Sequence, residues 1–204
     1  MELIVALKAL LLVLVAYLSG AIPFGLILTK GFTTVDIRKQ GSGNIGATNV
    51  RRTAGNLLGA LTLGGDVLKG ALPVYLALHL LPEPLPGREV SLALIALAAV
   101  CGHLYPIYLG FKDGGKGVAT AAGCFMVLSP WAVLISLLVF ILGVCWYNRV
   151  SVASLAATAV LPLAVWKATG EFSTTGSAAV IAVLIVYRHK ANIKRLLSGQ
   201  EPEL

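Results

Sequence analysis

Long runs without a charged residue dominate this chain and restrict what it can fold into. A helix needs about 20 mostly apolar residues to cross the hydrocarbon core of a bilayer. Most of the runs reach or approach that length, and 57% of the 204 residues are hydrophobic while only 12% are charged. We therefore predict an all-α integral membrane protein, one domain over residues 1–204, with no soluble domain. The runs cover residues 9–29, 53–65 with 70–82, 90–111, 117–148, 150–166 and 172–187.

The longest run, 117–148, decides the number of spans. As one helix it would measure about 48 Å, against a hydrocarbon layer of about 30 Å. Pro130 lies near its middle, and a proline can end one helix and begin the next. Short basic loops stay on the cytoplasmic side, so the basic segments 30–52 and 188–195 need an even number of crossings between them. Splitting the run at Pro130 meets this condition. We predict seven transmembrane helices, with the amino terminus outside and the carboxyl terminus cytoplasmic.

Several classes of function are disfavoured by the composition. The net charge of +7 is explained by basic loops on the cytoplasmic face, so we expect no nucleic-acid partner. Cys101, Cys124 and Cys145 all lie inside apolar runs, and they do not form the even, regularly spaced set of a disulfide framework. No cluster of His, Cys and carboxylate residues has metal-ligand spacing, so a zinc site is disfavoured as well. No carboxylate pair is spaced for glycosidase-type catalysis. We expect neither a metal nor another cofactor.

The first segment that can carry chemistry is GSGNIGATNVRR, residues 41–52. Its small residues allow a ligand to approach the backbone closely, its Ser, Thr and Asn side chains offer neutral hydrogen bonds, and its arginines have the forked donors that suit phosphate. The alternative is a flexible basic loop that touches lipid headgroups. The candidate site residues here are Ser42, Gly43, Asn44, Gly46, Thr48, Asn49 and Arg52.

The second segment, GFKDGGKGVAT at 110–120, comes directly before an apolar helix. Glycines before a helix amino terminus form an anion cradle from backbone N–H groups and the helix dipole. A nucleotide loop is disfavoured, because Gly117 stands where a Walker A motif has its magnesium-binding Ser or Thr. The alternative is a cytoplasmic turn with lysines. The candidates here are Gly114, Gly115, Lys116, Gly117 and Thr120.

The third segment is the basic tail YRHKANIKRLL at 187–197. Continued as a helix, it places His189 and Asn192 on one face, although a basic flank of the last span explains it equally well. Three isolated polar residues inside the spans complete the candidates. Lys69 can pair with Asp66 three residues earlier, and a structural pair is favoured. His103 either lines the site or is a packed, hydrogen-bonded histidine. Ser154, at the inner end of the sixth span, either caps that helix or hydrogen-bonds a ligand.

Three cationic or glycine-rich segments on one face suggest a site for more than one phosphate group, with an acyl chain in the neighbouring bilayer. This favours lipid-phosphate chemistry over a transporter of phosphorylated metabolites, which would place polar groups along several spans. A headgroup-transferring phosphotransferase is disfavoured as well, because it would need a metal and several Asp residues at helix ends, and the sequence lacks such a set.

GSGNIGATNVRR, GGKGVAT and YRHKANIKRLL, in this order, closely resemble the bacterial acyl-phosphate:glycerol-3-phosphate acyltransferases, the PlsY family. YLSGAIPFG at 17–25, GHLYP at 102–106 and SVAS at 151–154 are similar to that family as well, so the resemblance spans nearly the whole chain. One departure is Asp113, which looks like an insertion before the glycines.

The resemblance implies a multi-pass enzyme of the bacterial inner membrane whose active site faces the cytoplasm. It would transfer an acyl chain from acyl phosphate to the sn-1 hydroxyl of glycerol 3-phosphate, giving lysophosphatidic acid and phosphate as the first acylation of phospholipid biosynthesis. It also implies functional proximity to the enzyme that produces acyl phosphate. By the same analogy, Ser42, Arg52, Lys116, His189 and Asn192 are the catalytic candidates, the glycine loop binds phosphate, and Glu201 is structural.

Acyl phosphate is an activated mixed anhydride, so positioning and charge stabilisation are the main tasks of such an enzyme. The proton acceptor stays open: either His189 accepts the hydroxyl proton, or an oxygen of the acyl phosphate does, and we favour the second route slightly.

Overall fold

The computed structural model describes residues 2–204, and helices form all of the regular structure in that range. No described residue lies in a β-strand, so the prediction of an all-α protein is confirmed. A short 3₁₀ turn, Ile107–Leu109, follows the fifth α-helix. The helices are α1 (Glu2–Gly20), α2 (Phe24–Phe32), α3 (Ala47–Ala54), α4 (Asn56–Leu80), α5 (Arg88–Leu104), α6 (Val118–Leu128), α7 (Pro130–Tyr147), α8 (Val150–Thr169), α9 (Phe172–Arg188) and α10 (Lys190–Leu197).

Five stretches of the described chain are long and apolar enough to cross a membrane: Leu3–Phe32, Asn56–Leu80, Arg88–Leu109, Pro130–Tyr147 and Val150–Thr169. Many of their large hydrophobic side chains are exposed, as expected for surfaces that face lipid rather than water. Helices α6 and α9 are apolar but shorter, and the 11 residues of α6 span only about 16 Å. The predicted count of seven spans requires both to cross, and it stays a prediction together with the orientation.

Prolines mark two of the helix breaks. The run 117–148 is interrupted at Ser129, and Pro130 is the first residue of α7, where its missing N–H costs no helical hydrogen bond. The predicted break in this run is therefore confirmed. The run 9–29, predicted as one span, lies within the single candidate span Leu3–Phe32, but its helix stops at Gly20 and restarts after Pro23. The carbonyl of Ile22 in this gap accepts a hydrogen bond from the buried Lys69 side chain.

Two compact units divide the chain after Cys124. In the first, α1 packs on α4 and α5, and α4 also packs on α2, α3 and α5. Glycines allow close helix contact here, because a methyl group at Gly20 would overlap the backbone of Ala99 and one at Gly102 would overlap that of Tyr17. Small residues at helix contacts are typical of membrane bundles, where backbones approach closely.

The start of α6 packs on α4 in the same way within the first unit. A methyl group at Gly70 would overlap the carbonyl oxygen of Thr120, and one at Gly123 would overlap that of Val67. In the second unit, from Phe125 onward, α8 packs between α7 and α9, and α10 contacts α9.

Candidate functional site

A small apolar cluster joins two of the three predicted motifs within the first unit. Buried side chains from α2, the following loop, α3 and α4 form it, and Leu109 packs against it one residue before the glycine loop begins. The cluster therefore supports both the residues before α3 and the start of the 110–117 loop. Its buried members are Leu26, Ile37, Ile45, Val50 and Leu58.

The buried side chain of Asn49 organises the loop before α3. Its Nδ2 donates to the carbonyls of Ile37 (3.0 Å), Gln40 (3.2 Å) and Asn44 (2.9 Å), and its Oδ1 accepts the backbone N–H of Ser42 at 2.9 Å. Both ends of the amide thus bind loop backbone. The role of Asn49 as a substrate ligand stays a prediction. The contacts in the structure show that its side chain holds the loop before α3 in its conformation.

The other residues of the first motif lie around the Asn49 side chain. Ser42 and Arg52 are exposed, while Gly43, Asn44 and Thr48 are half-buried. Asn44 Oδ1 accepts the N–H of Gly46 at 2.9 Å, and Gly46 is the residue before α3. Gly43 has a φ of +68°, a left-handed conformation that a residue with a Cβ rarely adopts.

The same loop carries an ion pair close to the glycine loop. Arg38 Nε and Nη2 donate to the two carboxylate oxygens of Asp36 at 3.0 and 3.1 Å. These hydrogen bonds lower the pKa of Asp36. The pKa of Arg38 is raised, mainly by Asp36 and in small part by the charge of Asp113. Asp113, the residue that interrupts the second motif, is thus close enough to Arg38 for its charge to act on the guanidinium.

The glycine loop lies against the end of α5. Gly114 and Gly115 are buried, and the N–H of Gly115 donates to the carbonyl of His103 at 3.1 Å. A methyl group at Gly114 would overlap the carbonyl of Leu104, and one at Gly115 would overlap the imidazole of His103. A Cβ at Gly114 would require the α5 backbone to shift and one at Gly115 would require the His103 ring to shift, so close packing on α5 accounts for the glycine pair.

The remaining residues of the loop lead into α6. Lys116 is half-buried, and Gly117 has a φ of +92° directly before the helix begins at Val118. The Thr120 hydroxyl lies in the first turn of α6 and is buried without a hydrogen-bond partner among the described residues. Backbone N–H groups at a helix start favour anions, so this arrangement suits the phosphate-binding role predicted for the loop.

The two candidates inside the spans of the first unit are buried beside Asp66. Lys69 Nζ lies 2.8 Å from Asp66 Oδ1 and also donates to the carbonyl of Ile22 at 2.8 Å. His103 Nδ1 is 3.6 Å from the same carboxylate oxygen. The spacing of Asp66 and Lys69 predicted their ion pair, whereas nothing in the sequence indicated that His103 would join it.

The second unit holds His189, Asn192 and Ser154, all buried. His189 Nδ1 lies 2.8 Å from the carbonyl of Ile185. Since a carbonyl oxygen only accepts, this contact places a ring proton on Nδ1, and the neutral ring then has its lone pair on Nε2. Ser154 lies on α8, one turn after Ser151.

Glu201, in the tail after α10, holds the side chain of Asn192. Asn192 Nδ2 donates to Glu201 Oε1 at 2.6 Å, and Arg195 Nε donates to Oε2 at 2.7 Å. Burial alone would raise the pKa of Glu201, but the polar contacts of Asn192, Ser151 and Arg195 outweigh it and lower the pKa. Glu201 is therefore a charged support for Asn192.

The predicted site residues thus fall into two groups. The first unit brings the first motif, the glycine loop, Lys69 and His103 into connected packing, and the second unit contains Ser154, His189 and Asn192. In residues 2–204 no three His, Cys, Asp or Glu side chains are grouped so that they could hold a metal ion.

Known proteins resemble this chain over nearly its full length. A protein of Syntrophotalea carbinolica named glycerol-3-phosphate acyltransferase is 48% identical, over 94% of this chain and 95% of the relative. One of the same name from Geobacter sulfurreducens is 46% identical, over 96% and 97%.

Two solved structures are similar as well. They are crystal structures of PlsY (YgiH), described as an integral membrane glycerol 3-phosphate acyltransferase, in a glycerol 3-phosphate form and a lysophosphatidic acid form. Each is 42% identical and matches 97% of this chain, covering 96% and 95% of the solved chains with TM-scores of 0.89 and 0.87. The family model for glycerol-3-phosphate acyltransferase matches residues 10–199. Fold, motifs and sequence agree, and this chain, an integral membrane protein, belongs to the PlsY family of glycerol-3-phosphate acyltransferases.

Proposed function

We propose that this chain transfers an acyl chain from acyl phosphate to the sn-1 hydroxyl of glycerol 3-phosphate. The hydroxyl oxygen attacks the acyl carbonyl carbon, the bond from that carbon to the phosphate oxygen breaks, and the hydroxyl proton leaves. The products are 1-acyl-glycerol 3-phosphate and inorganic phosphate. No metal or other cofactor takes part, and the chain works as one membrane-embedded domain.

The observation that carries this proposal is the attachment of two phosphate-suited loops to one apolar cluster in the first unit. The loop before α3 exposes Ser42 and Arg52, and the loop before α6 combines glycine N–H groups with Lys116. Both proposed substrates carry a phosphate group. Arginine matches phosphate oxygens with its forked donors, and lysine supplies a point charge.

The proposed roles follow from these chemical properties. Arg52, Lys116 and the amides of Gly114, Gly115 and Gly117 neutralise and hold the phosphate groups. Neutral donors and acceptors then orient the reacting hydroxyl and carbonyl. This second group comprises Ser42, Asn44, Thr48, Asn49, Thr120, Asn192 and Ser154, with Gly43 and Gly46 allowing close approach; Lys69 and His103 complete the proposed binding residues.

For the proton we favour the acyl phosphate itself as acceptor, with His189 as the alternative. The contact between His189 Nδ1 and the carbonyl of Ile185 leaves Nε2 as the basic atom of the neutral ring, which suits either a base or a hydrogen-bond acceptor. The pH profile of His189→Ala separates the two routes. Loss of all turnover in a variant that still binds both substrates would refute the substrate-assisted route.

The cellular setting belongs to the same proposal. We place the enzyme in the bacterial inner membrane with seven spans, an outer amino terminus and a cytoplasmic site, near the enzyme that produces acyl phosphate. Cysteine accessibility tests this orientation: a cysteine introduced at Ser42 should react with an impermeant reagent only in inverted vesicles.

Activity is tested with detergent-purified protein, acyl phosphate and glycerol 3-phosphate, without metal or thioester. We expect lysophosphatidic acid and phosphate in equal amounts, with the acyl group on the sn-1 oxygen. A parallel reaction with acyl-coenzyme A as donor should give no product. Product from the thioester alone would refute the proposed donor, and product acylated at the other hydroxyl would refute the proposed position.

A further inference from the structure

A buried carboxylate connects the break between α1 and α2 to the glycine loop. Asp66 on α4 is only 3% exposed and Lys69 only 4%, so both charged groups are buried in the protein, on a helix long and apolar enough to cross a membrane. Ionised groups in such surroundings are costly unless paired and are commonly functional. The pair itself explains how both charges are tolerated, but not why the carboxylate also faces a histidine.

That histidine is His103, near the end of α5. Its Nδ1 is 3.6 Å from Asp66 Oδ1, which is too long for a hydrogen bond but leaves this edge of the ring facing the carboxylate. In a neutral imidazole one nitrogen carries the proton, and a carboxylate on the Nδ1 side favours the proton there. The carboxylate therefore favours the tautomer and the ring orientation that turn an Nδ1–H group toward Asp66.

The opposite edge of the ring meets the glycine loop. A methyl group at Gly115 would overlap His103 Nε2, and the N–H of Gly115 donates to the His103 carbonyl at 3.1 Å. The orientation of the ring therefore sets how close Gly115 lies to α5. Lys116, the lysine that follows the glycine pair, is the next residue.

The other side of Asp66 leads to the first helix break. Lys69 Nζ donates to the carbonyl of Ile22 at 2.8 Å, and the Ser19 hydroxyl donates to the Lys69 carbonyl at 3.2 Å. One residue after Lys69, Gly70 packs against the backbone of Thr120 in the first turn of α6. This part of α4 thus contacts the end of α1, the glycine loop through His103, and the start of α6.

We infer that Asp66 is a positioning residue for the glycine loop, acting through His103, for the acyl transfer proposed above. It touches no substrate. Its effect is to hold Gly115, and with it Lys116, at the place where a phosphate group binds. The inference rests on the proposed function, so the wild-type enzyme must first show acyl transfer; its failure to do so would count against that function and not against the role of Asp66.

The test separates this role from simple neutralisation of Lys69. Asp66→Asn alone leaves a buried lysine without its counter-ion, which is strongly destabilising. The informative variant is Asp66→Asn with Lys69→Met, which removes both charges and keeps similar volumes. We expect it to fold, to lose activity on the order of 100-fold in kcat/KM, since misplacement by about 1 Å costs that much, and to show a raised KM for at least one phosphate substrate. Because Lys69 is itself a proposed binding residue, the deciding readout is hydrogen exchange without substrate at the Gly115 amide, which donates to the His103 carbonyl. This exchange should speed up in the double variant, and loss of a substrate contact alone would leave it unchanged.

His103→Gln provides an independent variant, because it leaves Asp66 and Lys69 in place. We expect a similar loss and the same rise in KM, and adding it to the double variant should cost little more. Thr62→Val is the matched control: Thr62 is a buried residue on α4, one turn before Asp66, whose hydroxyl donates to the carbonyl of Leu58 in its own helix. This control should keep wild-type kinetics.

Two results would overturn the inference. One is wild-type kcat and KM in the charge-free double variant, which would reduce Asp66 to a counter-ion for Lys69. The other is a fall in kcat proportional to lost folded protein with both KM values unchanged, in His103→Gln or in the double variant. Thermal melting and size-exclusion profiles in the same detergent measure the folded fraction.

Discussion

Replacing Asn49 by alanine should release the loop before α3. The Asn49 amide makes four contacts with loop backbone, three from Nδ2 and one to Oδ1. Because Nδ2 has two hydrogens, these contacts amount to about three full hydrogen bonds. At about 1 kcal/mol net for each bond, Asn49→Ala should weaken the loop by about 3 kcal/mol.

Hydrogen exchange measures this effect where it occurs. A loss of about 3 kcal/mol corresponds to a fall on the order of 100-fold in the protection of amides in residues 36–46, since each 1.4 kcal/mol is tenfold. The Ser42 amide, which donates directly to Asn49, should lose the most. Acyl transfer should fall in parallel, because Ser42 and Arg52 lose their support.

The isosteric variant Asn49→Asp sharpens the test. It keeps an acceptor for the Ser42 amide but sets a carboxylate against three carbonyl oxygens, so we expect a loss at least as large as with alanine. Asn56→Ala, at an exposed asparagine that begins α4, is the control and should leave exchange unchanged. Protection within about threefold of wild type in Asn49→Asp would refute the assignment of Asn49 to loop structure.

Three further changes have defined outcomes. Gly115→Ala adds a methyl group against the His103 ring and should raise the KM for a phosphate substrate, whereas Gly31→Ala, with open space around it, should not; equal kinetics in both would contradict the packing argument. Lys116→Gln should weaken substrate binding and reduce its dependence on salt, because a charge that meets phosphate is lost; an unchanged salt dependence would exclude that contact. The pKa of Glu201 is lowered in the folded chain, so its stabilisation is present above the ordinary glutamate pKa of about 4.3 and is lost as pH falls through the lowered value. Exchange of residues 190–204 should therefore rise in acid in the wild type and show no such step in Glu201→Gln; a step that persists in the variant would assign the titration to another group.

Local patterns in the sequence predict much of this fold. Uncharged runs give most of the long helices, and Pro130 correctly divides 117–148, because a proline can start a helix but lacks the N–H to continue one. The same rule applied to Pro23 would have found the break between α1 and α2, which a count of uncharged residues overlooks.

The candidate site was harder to predict wherever the role of a residue depends on contacts between segments that are distant in sequence. Glycines and basic residues marked the loops before α3 and α6, since their chemistry is visible in single residues. The substrate-binding role predicted for Asn49 stays a prediction, whereas the contacts of its amide with loop backbone could not be predicted from the sequence. The contact of His103 with Asp66 joins two helices that are distant in sequence, and no spacing rule reports such a pair.

The glycine contacts between α1 and α5, and between α4 and α6, bear on how this enzyme meets different lipids. Helices that touch backbone to backbone leave no gap for a detergent or acyl tail to enter, and their attraction depends on contact distance more than on the surrounding solvent. The part of the molecule that carries both loops should therefore keep its shape when bilayer composition changes with growth temperature, while the large exposed side chains adapt to the new lipid.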